Sequence, residues 1–182
     1  MDQFKKIIDK YTQLEYGCTD KLSEVNTRPS FDQMYMSIAE IVGLRSTCLR
    51  GKIGAVIVKD TRIVSIGYNG APATLGQCDE YGCIIDKERG GCIRTIHAEQ
   101  NAIAYASRVG IPLENGTLYV TMSPCIDCAK LIIASGISRI VYKEEYRKGY
   151  AVDYLKLSGI DIEQLNFGLD DVMKNFYNKN ER

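Results

Sequence analysis

The 182-residue sequence has no tryptophan and one histidine, His97. Its Tyr and Phe do not gather in a basic stripe, so no platform for stacking successive bases is visible. Net charge is absent as well. The 23 Lys and Arg balance the 23 Asp and Glu, and the pI is about 6.6. A grip on long nucleic acid through its phosphates usually needs a basic surface, so the charge balance argues against that class, whereas a single small phosphate remains within reach of one or two arginines. No apolar run approaches the roughly 18–20 residues of a membrane span. Residues 1–10 alternate charge with apolar side chains and carry no signal-peptide core. The expectation is a protein without membrane or long nucleic-acid partners, placed in the cytoplasm (a host's cytoplasm if the chain is viral).

What the sequence does have is cysteine, seven in all. In a reducing compartment, an odd number of cysteines reads better as metal ligands and free thiols than as a disulfide framework. Overall composition, 45% apolar and 25% charged, suits one compact domain.

Periodicity divides the chain. Residues 1–28 read as a helical extension, with Phe4, Ile7, Ile8, Tyr11 and Leu14 at helical spacing and Cys18 as a free thiol. Ser30 is a good N-cap for a helix over 31–45. Two β-branched runs, 53–59 and 63–68, predict a hairpin joined by Asp60-Thr61-Arg62. Residues 73–93, with four Gly and three Cys, predict a long irregular loop that is functional or stapled. Helices over 97–109, 125–135, 150–158 and 170–177 then alternate with strands over 118–122, 137–142 and 161–167. This order predicts an α/β domain over 29–160, a mixed sheet covered on both faces, with 161–182 as a C-terminal extension packed on it.

The chemistry concentrates in His97-Ala98-Glu99 and Pro124-Cys125-Ile126-Asp127-Cys128. Cys125 and Cys128 can point to one side at the start of a helix, where the dipole favours thiolate. With His97 they give three zinc ligands, and an open fourth position is the pattern of a catalytic site. Such an ion lowers the pKa of water from ~15.7 to about 7. Glu99 is close enough to shuttle the proton without ligating the metal. H-x-E followed by P-C-x-x-C is the known signature of zinc deaminases. A lone Cys-x-x-Cys is also consistent with a structural half-site or a redox pair. The conjunction with the single His and a Glu two residues on favours catalysis.

The stretches Arg45-Ser46-Thr47-Cys48, Ile53-Gly54-Ala55-Val56-Ile57, Gly67-Tyr68-Asn69-Gly70, Thr95 through Ile103 and Tyr119 through Cys125 resemble the deoxycytidylate (dCMP) deaminases of bacteria and bacteriophages. The resemblance covers about residues 30–160. It implies a three-layer α/β/α cytidine deaminase-like fold with a central mixed five-stranded sheet. It implies hydrolysis of dCMP to dUMP and ammonia, feeding thymidylate synthesis, with Zn2+ on His97, Cys125 and Cys128 and with Glu99 as proton shuttle. It implies substrate contacts from Asn69, Ala98, Ser123, Tyr146 and Arg147, of which Asn69 holds the sugar hydroxyl. Arg50, Lys52 and Arg94 are candidates for substrate phosphate or for a regulatory triphosphate carrying Mg2+. Relatives of this kind are hexamers, activated by dCTP and inhibited by dTTP. Cys48, Cys78, Cys83 and Cys92 bracket the irregular loop and are candidates for a second, structural zinc; the rival reading is four small buried thiols. Deaminases of another base (tRNA adenosine, cytidine, guanine) and a non-catalytic zinc-stabilised nucleotide sensor are the alternative functions.

Overall fold

The computed structural model describes residues 28–88, 90–146 and 150–177. Residues 1–27 of the proposed 1–28 extension, Cys18 among them, and Arg147 lie outside the described residues. Helix α1 (Phe31–Gly43) begins where Ser30 predicts. The Ser30 hydroxyl accepts from Gln33 N at 3.2 Å and Gln33 Oε1 accepts from Ser30 N at 2.9 Å, a reciprocal capping box. Strands β1 (Gly54–Lys59) and β2 (Arg62–Tyr68) form the hairpin. Its turn is tighter than the sequence suggests. Lys59 pairs with Arg62, leaving two loop residues, Asp60 and Thr61, at φ 50° and 59°. Two positive φ values match the twist of the flanking strands.

The segment 73–93 is less irregular than its composition predicts. It contains a 3-10 turn (Ala73–Leu75), a one-turn helix α2 (Cys78–Tyr81) and a small hairpin of β3 (Ile85–Asp86) with β4 (Gly91–Cys92). Short elements of two to four residues leave no periodic trace in sequence. Arg94 organises them. Its guanidinium donates to the carbonyls of Leu75 at 3.0 Å and Gly76 at 2.8 Å, and lies over the Tyr81 ring.

Helix α3 (Ala98–Val109), β5 (Thr117–Met122), α4 (Ile126–Ala134), β6 (Arg139–Glu144), α5 (Ala151–Leu157), β7 (Asp161–Gln164) and α6 (Leu169–Tyr177) follow in alternation. The sheet order is β2-β1-β5-β6-β7, with β1 antiparallel to both neighbours and β5, β6 and β7 parallel. This is the mixed five-stranded sheet expected. Because β7 is its edge strand, the sheet runs past residue 160, the boundary drawn from sequence. Among the described residues of that C-terminal stretch, the helix beyond the sheet is α6. It is tied back by Glu40, whose carboxylate accepts from Lys143 Nζ on β6 and from Leu169 N at the start of α6.

Strand side chains alternate between two cores. Ala55, Ile57, Leu118, Val120 and Ile140 face α3, α4 and α5, while Val56, Val58, Tyr119 and Val141 face α1. With both faces covered, β1 reads as one continuous apolar run. Contact between β2 and α3 is close at Gly67, where a Cβ would run into Ala98 O and Ala102 N. That contact fixes the height of the α3 N-terminus above the sheet. Among the described residues, no helix is long and apolar enough to cross a membrane.

Candidate active site

The C-terminal ends of the parallel strands, where open α/β sheets commonly bind ligands, are the site of the principal cavity, of about 260 Å³. Two helix N-termini converge on it. His97 is the N-cap residue of α3, held in extended backbone by Gln100 Oε1, which accepts from His97 N at 3.0 Å. Cys125 is the N-cap residue of α4, entered through the fully buried Pro124. Cys128 lies within the first turn of the same helix and is completely buried.

The three donor atoms form a tight triangle. His97 Nδ1 is 3.5 Å from Cys125 Sγ and 3.4 Å from Cys128 Sγ. A tetrahedral zinc with Zn–N of 2.0–2.1 Å and Zn–S near 2.3 Å sets such donors about 3.5 Å apart. The residues present therefore fit zinc in both donor chemistry and spacing, with Nδ1 as the imidazole ligand. The sulfurs divide their protonation unequally, since two adjacent thiolates repel. A hydrogen bond from Cys128 first, opposed by burial and assisted by His97, brings the Cys125 thiol down to about 4. The same sharing with Cys125, together with burial, pushes Cys128 up.

Glu99, at the second position of α3, is 4% exposed and borders the cavity. Burial raises its carboxyl above the ordinary carboxylate range. Such a group takes up a proton more readily than a solvated carboxylate, as a proton shuttle must.

The expected substrate residues are partly assembled. Asn69, Ala98, Ser123 and Tyr146 all line the cavity. Asn69 has prior commitments: Oδ1 accepts from Ile53 N at 2.8 Å and Nδ2 donates to Gly51 O at 2.9 Å. An amide has two N–H groups and two lone pairs, so one of each is left for a ligand. The Ser123 hydroxyl accepts from Tyr146 N at 2.8 Å, anchoring the start of the segment that continues to Arg147. Ile53, Thr95 and Met122 also border the cavity and were not anticipated. Ile53 and Thr95 lie in connecting segments and Met122 ends β5, so no motif marks them as wall residues.

The three candidate phosphate cations differ. Arg50 lines the cavity and donates to Gly90 O at 3.0 Å. Lys52 is exposed, with Nζ 3.5 Å from Leu44 O, and is not among the lining residues. Arg94 does not line the cavity, and its Nη atoms donate to the carbonyls of Leu75, Gly76 and Gly82.

Of the second cysteine group, the sulfurs of Cys78, Cys83 and Cys92 lie within 4.8 Å of one another. Burial first, then Cys92, Cys78 and Cys48, push the Cys83 thiol up, so Cys48 stands near the other three. Cys48 also lines the cavity, its N–H donating to the Ser46 hydroxyl at 3.2 Å. Cys92 belongs to both, lining the cavity and facing the other two thiols. Burial opposes ionisation of Cys92, but hydrogen bonds from Arg94, Thr95 and Ile84 bring it down to about 7.

Residues 29–144 match the model of the cytidine and deoxycytidylate deaminase zinc-binding region. ComE operon protein 2 of Bacillus subtilis (strain 168) is 39% identical over 153 residues, 84% of this chain and 79% of that protein. The deoxycytidylate deaminase of Mycobacterium phage D29 is 42% identical over 128 residues, 65% of this chain and 98% of that one. Among solved structures, the dCMP deaminase of cyanophage S-TIM5, in complex with dCMP and dUMP, superposes with a TM-score of 0.67. It is 31% identical, covering 76% of this chain and 98% of that one. With its three-layer α/β/α architecture and its His-Cys-Cys donor triangle, the chain belongs to the cytidine and deoxycytidylate deaminase family.

Proposed function

We propose that this protein hydrolyses dCMP to dUMP and ammonia, supplying dUMP for thymidylate synthesis. The observation that carries this reading is the donor triangle of His97, Cys125 and Cys128 with the buried Glu99 carboxylate on the wall of the same cavity. Relatives named deoxycytidylate deaminase support the choice of substrate.

A zinc ion held by His97 Nδ1, Cys125 Sγ and Cys128 Sγ would supply the Lewis acidity that brings the pKa of a water molecule to about 7. Glu99 takes the proton of that water and delivers it to the ring nitrogen beside the reacting carbon. Oxygen then bonds to C4 of the cytosine ring. A second proton passes through Glu99 to the exocyclic amine, the C–N bond breaks and ammonia leaves. Burial keeps the carboxylate in step with both transfers, because its affinity for the proton is raised. Asn69 uses its remaining N–H and lone pair on the sugar hydroxyl. The backbone N–H of Ala98, at the start of α3, and Ser123 orient the base. Tyr146, Arg147 and Arg50 take the 5′-phosphate.

The same reading carries several finer assignments. The deaminase domain starts near residue 29 and takes in the edge strand β7, so the C-terminal boundary lies beyond residue 160; residues 1–28 flank it as an N-terminal extension. The Cys78, Cys83 and Cys92 thiols, with Cys48 as fourth ligand, hold a second, structural zinc, for which three convergent sulfurs are the support. The protein assembles as a hexamer in the cytoplasm, activated by dCTP with Mg2+ and inhibited by dTTP. Exposed apolar side chains on the outer strand, Ile63 and Ile66, support self-association.

Ammonia release from dCMP, dCTP, deoxycytidine, cytidine, guanine and a tRNA substrate tests the central reading. The expected result is turnover of dCMP above all others. Turnover confined to a nucleoside, a free base or a polymer overturns it, and no turnover of any substrate by the zinc-loaded protein favours the sensor alternative.

A further inference from the structure

We infer that Ser46, a buried residue outside the cavity, is a positioning residue that sets the orientation of Asn69 toward the nucleotide. This inference rests on the proposed deamination of dCMP with Asn69 on the sugar hydroxyl.

Asn69 reaches the cavity from the end of β2 and is 7% exposed. Its amide holds the backbone of Gly51 and Ile53, and its own N–H donates to Ile53 O at 3.1 Å. Its carbonyl is held by a side chain, the Ser46 hydroxyl, at 2.6 Å. Ser46 is itself 6% exposed and is fixed at the end of α1, with Ser46 N donating to Gly43 O at 2.9 Å. Its hydroxyl works in both directions, donating to Asn69 O and accepting from Cys48 N. Both recipients line the cavity, whereas Ser46 does not.

The local geometry makes this contact decisive for aim. Once two of the amide's hydrogen-bonding sites are taken, the direction of the remaining pair follows the backbone at residue 69. On the α3 side, that backbone is steadied by Asn101 Nδ2, which donates to Tyr68 O at 2.9 Å. On the α1 side the tether is the Ser46 hydroxyl. Removing it leaves a buried carbonyl and a half-buried N–H without their partner, and the segment must shift to satisfy them. A shift of this kind disturbs the sugar contact, which is remote from the reacting carbon, more than the chemical step.

The test compares full-length, zinc-loaded wild type with Ser46→Ala, Ser46→Thr, Asn69→Ala and the Ser46→Ala/Asn69→Ala double variant. Substrates are dCMP and 2′,3′-dideoxycytidine 5′-monophosphate, which lacks the 3′-hydroxyl. Ser46→Ala is expected to raise KM for dCMP about tenfold, with kcat changing less than about twofold. Its preference for dCMP over the dideoxy analogue should shrink accordingly. Ser46→Thr, which keeps the hydroxyl, should restore that preference. In the Asn69→Ala background, Ser46→Ala should add nothing further. Equal losses on both substrates, or multiplicative losses in the double variant, overturn the inference and leave Ser46 a purely structural residue. The ratio between substrates is independent of the fraction of active enzyme. If Ser46→Ala does not fold, Ser46→Cys in reducing buffer leaves no cavity, replaces the hydroxyl with a weaker donor and reports the same ratio. An active wild type whose ratio is unchanged by these variants overturns this inference alone, while a wild type that does not turn over dCMP overturns the parent reading as well.

Discussion

His97 Nδ1 and Cys128 Sγ stand 3.4 Å apart although 31 residues separate them in the chain. They meet because α3 and α4 both start at the same end of the sheet, one after the β2 side and the other directly after β5. His97→Ala or Cys125→Ala should therefore remove one zinc equivalent per chain, measured by atomic emission, together with deaminase activity. Glu99→Gln should keep that zinc and lose activity by about 10²–10⁴-fold, since it removes a proton carrier and no ligand. Loss of zinc in Glu99→Gln would contradict the assignment.

Arg94 and Arg50 should separate in kinetics. Arg94 holds the carbonyls of the 73–93 segment, whereas Arg50 borders the cavity. Arg50→Ala is expected to raise KM for dCMP by about tenfold or more while leaving deoxycytidine turnover little changed, because a charge-assisted phosphate contact is worth roughly that much. Arg94→Ala should lower thermal stability and leave the ratio of the two substrates as in wild type.

Gly67→Ala tests the packing of α3. The added methyl meets the backbone at Ala98 and Ala102, atoms that cannot rotate away. The expected cost is about 1–3 kcal/mol in urea unfolding. Activity should fall too, because His97 and Glu99 ride on the same turn of the helix.

Asp32 and Arg139 pair bidentately across 107 residues, at 2.8 and 2.9 Å. The Arg139 hydrogen bond holds the Asp32 carboxyl below its usual range. A lowered native pKa contributes stability above the unfolded-state value, near 3.9, and that stability is lost as pH falls through the native value. Asp32→Asn should thus destabilise at neutral pH by roughly 0.5–1 kcal/mol, small because both side chains reach solvent. The difference from wild type should shrink below about pH 4 in thermal melts. A difference that stays constant over that range would remove the carboxylate from the account.

The sequence was sufficient wherever a local rule governed. Ser30 and Gln33 specify a cap on their own, and the Cys125-x-x-Cys128 spacing fits one turn of a helix. The apolar runs over 53–59 and 118–122 specify buried strands because both faces of the sheet are covered. His97 and Glu99 were legible for the same reason, as members of a short motif with one chemical meaning.

Tertiary structure decided whatever depends on where a side chain's hydrogen bonds are spent. Arg94 and Arg50 are alike as sequence, but the folded chain offers Arg94 three carbonyls and gives Arg50 the cavity wall. Four cysteines look equivalent around a loop, yet Cys78, Cys83 and Cys92 close on one another while Cys48 and Cys92 line the cavity. Neither distinction follows from spacing, because each rests on contacts between segments far apart in the chain. The sequence by itself determined the candidate donor set, the acidic residue beside it and the layered fold. Only the folding of distant segments against one another decided which cations line the cavity and what holds Asn69 in place.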